Sequence, residues 1–178
     1  MDPHARRVAN SLLGLEVEVL PAPFLAGSVV IGLVLAVFAL AALQATLPQA
    51  LAFALLGLSL HWTLEFFHHV GHSIAARRTG YPMLGMVFGV FGIVARSVYP
   101  DDEPALPGRI HIRRALGGPI LSGLIGLVLL ALALLTGNGG LLNWLLWLGV
   151  LVSLLMSVGA LMPIPNLDGA TILYWARH

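Results

Sequence analysis

Five side chains able to carry a proton or hold a metal ion crowd into residues 61–72: His61, Glu65, His68, His69 and His72. At about 100° of helical rotation per residue, His61, Glu65, His68 and His72 share one stripe about 60° wide. His69 lies at its edge, about 100° from His68. Imidazoles four residues apart on a helix can close on one metal ion. That is the logic of the H-E-x-x-H helix of zinc hydrolases, whose Glu acts on the attacking water. Here the run reads His68-His69-Val70-Gly71-His72, with His where the Glu would stand. A polar seam packed against other helices, or lining a water-filled cavity, would use the same stripe. A further acidic group, Asp168, follows in Met162-Pro-Ile-Pro-Asn-Leu-Asp168-Gly169. Two prolines there end or break a helix, and Asp168 would serve either as a third ligand or as the N-cap of a short helix over 170–176.

The surrounding chain belongs in a membrane. Of 178 residues, 58% are apolar and 10% charged, and the mean hydropathy is +0.93. A soluble domain would carry roughly 25% charged residues. No cysteine is present, which rules out disulfides and thiolate ligation and leaves imidazole and carboxylate for any metal. Ionisable groups inside a span are costly and mark function. About 20 apolar residues cross a bilayer, and four segments qualify, at about 24–47, 50–75, 116–136 and 141–162. Residues 1–18 lack an apolar core, so the first run reads as a retained span and not a cleaved leader.

Every basic residue is an arginine: Arg6, Arg7, Arg77, Arg78, Arg96, Arg109, Arg113, Arg114 and Arg177. All fall on one side of a four-span arrangement, which predicts cytoplasmic termini and a cytoplasmic 76–115 connection in a cell or inner membrane. Arginines that flank apolar spans give no nucleic-acid surface. By the same topology, Asp168 and the end of the second span meet the same membrane edge. Within the connection, Val87, Phe88, Val90, Phe91, Ile93 and Val94 have β propensity among glycines, predicting a short hairpin or re-entrant strand. Such a strand would be a lid or would pair with an extended substrate. Leu15-Glu-Val-Glu-Val19 alternates apolar and acidic residues ahead of Pro21, as an exposed edge strand would. The expected fold is an all-α polytopic membrane protein of four transmembrane helices with a membrane-associated β-hairpin and edge strand, in one domain.

From about residue 15 to 173 the chain resembles the site-2 protease family of intramembrane metalloproteases. Three elements carry the likeness in the family's order: the His68/His72 pair, Ala115-Leu-Gly-Gly-Pro-Ile-Leu-Ser122, and the Pro-rich Asp168-Gly169 segment. The resemblance implies Zn²⁺ held by His68, His72 and Asp168 with water in the fourth position, polarising a substrate carbonyl. It also implies a transmembrane-helix substrate, or a partner protein, entering from the lipid bilayer and unwinding beside Val87, Phe88, Val90 and Phe91, with Ser122 at the substrate. Gly118, Ser122 and Gly126 also form a small-x-x-x-small ridge suited to close helix approach.

The chain departs from the family at three positions. His69 replaces the usual Glu, and Ser122 and Ala160 stand where members often have Asn. Loss of a general base is typically worth about 10²–10⁴-fold in rate. Three outcomes follow: a pseudoprotease that binds membrane helices without cutting them, His69 as the base, or Glu65 as a displaced base or as a partner orienting an imidazole. Rival classes are a haem- or metal-binding membrane protein, a metal transporter and a structural subunit. All the intramembrane histidines sit on one span, and the other spans offer almost no polar groups for a transport path.

Overall fold

The computed structural model describes residues 10–12, 14–137 and 139–178. Arg6, Arg7 and Asn138 lie outside them. Two short strands, β1 (Asn10–Leu12) and β2 (Leu15–Val19), precede the helices α1 (Pro21–Ala41) and α2 (Leu47–Arg78). A hairpin of β3 (Gly85–Val90) and β4 (Val94–Val98) follows. Then come α3 (Gly108–Leu135), α4 (Leu141–Ser157), a 3-10 turn (Gly159–Leu161) and α5 (Asp168–Ala176).

Among the described residues, four helices are long and apolar enough to cross a membrane: Pro21–Ala41, Leu47–Arg78, Gly108–Leu135 and Leu141–Leu161. Their outer faces stay apolar and open, as at Leu33, Val37, Leu127 and Leu155, because hydrocarbon rather than protein covers them. Helix α1 begins at Pro21, earlier than the apolar run alone suggests, since prolines are tolerated in a first turn that has no N–H partner. It ends at Ala41, where the chain turns through Gln44 at φ 53°. Helix α2 starts on a capping pair in which Gln49 Oε1 accepts from Thr46 N–H at 2.9 Å and from Thr46 Oγ at 3.0 Å. Helix α3 starts eight residues before the expected 116, because nothing from Arg109 to Ala115 breaks a helix once Pro107 has set its entry.

The sheet order is β1-β2-β3-β4. β2 runs parallel to β3, with Glu16 opposite Gly85 and Val19 opposite Phe88. β3 and β4 are antiparallel, with a bulge between Phe88 and Val90. The Leu15–Val19 strand therefore pairs with the hairpin, but it is interior: β1 covers its outer side. The open edge on the helix side belongs to β4. The hairpin tip is pressed onto α1, where a Cβ at Gly27 would collide with the Gly92 carbonyl. Buried Leu15, Met83, Met86 and Phe88 pack the sheet onto Trp62 and Phe66 of α2, and Phe24 stacks on Trp62 at 4.5 Å. At the other end, Leu35, Ala39, Ala50, Phe53 and Ala54 join α1 to α2 against Trp144 and Leu145 of α4.

Candidate metal centre and its cavity

The spacing of His68 and His72 places both imidazoles on the α2 face that meets α3. The two helices touch backbone to backbone there, because a Cβ on Gly71 would strike the Gly117 carbonyl and one on Gly117 the Gly71 carbonyl. That contact accounts for the glycine inside the His68–His72 run. Gly118, one residue further along α3, leaves the space that the two imidazole Nε2 atoms fill. The small-residue ridge divides its duty: Gly118 and Ser122 serve α2, while Gly126 faces Ser153 of α4.

Three acceptor atoms converge. His68 Nε2 and His72 Nε2 lie 3.1 Å apart, and Asp168 Oδ2 lies 3.4 Å from each. Both imidazoles are anchored from behind. His72 Nδ1 lies 2.8 Å from the Arg114 carbonyl, and His68 Nδ1 lies 2.9 Å from Ser122 Oγ. A carbonyl only accepts, so the His72 proton is assigned to Nδ1 and its Nε2 presents a lone pair. The Gly118 N–H also approaches His72 Nδ1, at 3.3 Å; the shorter carbonyl contact decides the tautomer. A lone pair and a carboxylate oxygen facing a second imidazole nitrogen at these distances call for a cation between them. The trio can hold a metal ion.

Asp168 reaches this point from the first turn of α5, whose N-cap position is taken by Leu167. The N-cap reading of Asp168 is thereby corrected: the imidazoles take the oxygen that a cap would use. Gly169 lets α5 press against the 3-10 turn, because a Cβ there would strike the carbonyls of Leu161 and Met162.

The remaining candidates separate. Ser122 is buried behind His68 as its hydrogen-bond partner, which directs its hydroxyl to the ring and not to a substrate. His69 turns off the triangle, its Nδ1 donating to the Glu65 carbonyl at 3.0 Å, so its Nε2 is the basic nitrogen. Its ring centroid lies 5.3 Å from that of His68 and 5.6 Å from that of His72. Glu65 does not orient a ligand imidazole; its Oε2 accepts the Ala95 N–H at 3.2 Å. His61 Nε2 donates to the Ile93 carbonyl at 2.9 Å. Val87 and Phe88 are buried in β3, which is paired through Phe88 on both sides, so its backbone is closed to a further strand. Phe91 stands exposed at the hairpin tip. On the α2 side of the sheet, an added strand has β4 as its edge.

A cavity of about 800 Å³ runs from the triangle along Ile93 of the hairpin turn and Val94–Ser97 of β4 to Val152, Leu155 and Met156 of α4 and Ile31 of α1. Its lining includes one group that the arginine count alone does not distinguish. Arg114 is buried, donates from Nη1 to Glu103 Oε2 at 2.8 Å and from Nη2 to the Tyr81 carbonyl at 2.6 Å, and also bonds Glu103 Oε1. Its guanidinium lies 4.4 Å from the Tyr99 ring centroid. Arg114 thus ties the 99–107 segment to the residue whose carbonyl orients His72. The Arg114 hydrogen bond holds Glu103 below the usual carboxylate range, and burial pushes the Tyr99 hydroxyl up to about 12. Neighbouring Arg113 has the same residue type and the same side of the membrane, so sequence carried no signal for choosing Arg114.

No protein-family model matches the chain, and no curated protein sequence matches it. Among solved structures, the fold is similar to that of the site-2 protease from Methanocaldococcus jannaschii, with a TM-score of 0.61 and 21% identity over 92% of this chain and 68% of that one. At that identity the likeness is one of fold.

Proposed function

We propose that this chain is a zinc-dependent intramembrane peptidase of the site-2 type, with His69 in the place of the usual carboxylate base. The observation that carries the reading is the triangle of His68 Nε2, His72 Nε2 and Asp168 Oδ2, with edges of 3.1, 3.4 and 3.4 Å. Ligands in a tetrahedron about 2.0–2.1 Å from zinc stand roughly 3.3 Å apart. The residues present therefore fit zinc without rearrangement. A zinc ion held there supplies Lewis acidity toward a peptide carbonyl and an attacking water.

The chain's own residues supply the rest. Ser122 and the Arg114 carbonyl fix the ring planes of His68 and His72, the kind of support whose loss typically costs 10–100-fold in metal affinity. His69 Nε2 accepts the proton of the attacking water, a task for which imidazole beside a dication is weaker than carboxylate. The substrate is a membrane-spanning segment, unwound and laid along β4 from the cavity. The arginine distribution supports cytoplasmic termini, which a cytoplasm-restricted fluorescent reporter fused to the C-terminus tests.

The second reading, a pseudoprotease that binds membrane segments without cutting them, is favoured by one observation. Glu65, the carboxylate next to His69, is turned to the Ala95 N–H and is not poised as a base. Haem has less support, because two Nε2 atoms 3.1 Å apart leave no room for a macrocycle between them. Cleavage of a reporter transmembrane segment by purified protein separates the first two. Peptidase action predicts slow cleavage by the unaltered chain, loss in His69→Ala, and a gain in His69→Glu of up to about 10²–10⁴-fold. No cleavage before the change and a gain after it identifies the pseudoprotease. Zinc content that is unchanged in His68→Ala and His72→Ala overturns the metal assignment itself.

A further inference from the structure

Helix α2 carries two polar side chains at membrane depth that the metal centre does not use, His61 and Glu65. Both bond the backbone where β4 begins: His61 the carbonyl of Ile93 in the hairpin turn and Glu65 the Ala95 N–H, with Glu65 Oε2 also 3.8 Å from His69 Nδ1. Those groups lie on the strand's outer edge. Leu84 N–H donates to the Val98 carbonyl at 2.8 Å, so residue 98 turns its backbone toward β3. With a period of two, 95 and 97 turn theirs away, while Ile93, in the hairpin turn just before β4, gives its N–H to the Val90 carbonyl at 3.3 Å and leaves its own carbonyl to His61. One helical step of four residues rises about 6 Å, and two strand residues advance about 6.8 Å. The matched pitches let successive turns of α2 meet successive outward rungs of β4. Ser97 is the next such rung, and it opens on the cavity together with His69.

An unpaired sheet edge is not tolerated in hydrocarbon, where its N–H and C=O groups find no water. We infer that His61 and Glu65 stand in for an absent fifth strand, holding the β4 edge at Ile93 and Ala95 until an extended polypeptide displaces them. The occupant is extended polypeptide because the edge presents one carbonyl and one N–H on successive outward rungs, which a strand matches and an intact helix, with its backbone bonds satisfied internally, does not. The two side chains thereby act as a selectivity element. They admit a segment that has already unwound, since only its backbone replaces both bonds at once. This inference rests on the proposed reading only for the occupant; the capping bonds themselves involve no metal.

Full-length protein in lipid nanodiscs, titrated with a fluorescein-labelled Val-Thr hexapeptide and read by anisotropy, tests it. Each capping bond is worth about 1 kcal/mol net, so removing both in a His61→Leu/Glu65→Leu variant should tighten binding by about thirtyfold. A copy of the peptide N-methylated at alternate residues should show no gain. Equal or weaker binding by the folded variant overturns the inference. In the unaltered protein, saturating peptide should shift the ¹⁵N resonances of the His61 ring as Nε2–H leaves the Ile93 carbonyl. Binding without that shift also overturns it, and this measurement needs no variant. The same gain is expected in a His68→Ala/His72→Ala background, so failure of the zinc reading would leave this test intact.

Discussion

A single added methyl group tests the geometry of the metal centre most directly. In Gly118→Ala the new Cβ would sit 2.6 Å from His68 Nε2 and 2.7 Å from its Cε1, and would also overlap His72 Nε2. Ordinary contact begins near 3.5 Å, so the His68 ring would have to retreat by about 0.9 Å. Metal-ligand distances tolerate deviations of about 0.2 Å, several times less than that. The rings cannot swing freely, because doing so breaks the bonds from Nδ1 to Ser122 and to the Arg114 carbonyl. Zinc affinity should fall by at least the 10–100-fold typical of lost ligand support. The overpacking itself should cost about 1–3 kcal/mol of stability. Competition with a chromogenic chelator measures the affinity, and a thermal melt in detergent measures the fold. Gly32→Ala is the control, since nothing lies within 4 Å of a Cβ there. If Gly118→Ala stays folded and binds zinc with unaltered affinity, the triangle is not the metal site.

Further outcomes follow from the same geometry. Ser122→Ala removes the partner of His68 Nδ1 and should weaken zinc about 10–100-fold while leaving the helices intact by circular dichroism. Glu103→Gln leaves Arg114 a neutral acceptor and should cost on the order of 2 kcal/mol at neutral pH. Because the folded Glu103 value is depressed, its contribution is full above the ordinary value of about 4.3 and is lost as pH falls through the lower folded value. Melting curves of the two proteins should therefore converge in acid, and a gap that persists there argues against the clasp. Gly27→Val drives a side chain into the Gly92 carbonyl and should raise amide exchange across 85–98. Unchanged exchange would mean that α1 does not hold the hairpin.

The sequence by itself determined the membrane setting, the four spans and the types of side chain that converge in the candidate site. These rest on local or one-dimensional facts: apolar length, arginine placement, the absence of cysteine, and a four-residue His spacing that any helix converts into one face. The resemblance carried by three ordered motifs reached the architecture that the structural likeness supports. Strand order was not legible, because Leu15–Val19 reads the same at an edge or inside, and only the pairing of β1 shows which it is. Nor was the duty of each polar residue on α2. His61, Glu65, His68 and His72 share a stripe in sequence, but β4 packs against the earlier turns and α3 with Asp168 against the later ones. The first pair therefore bonds backbone and the second pair converges on one point. Ser122, Gly118 and Arg114 likewise gain their roles from what lies across the α2–α3 contact. Periodicity names the face of a helix; the neighbour that each turn of that face meets is decided only when distant segments pack.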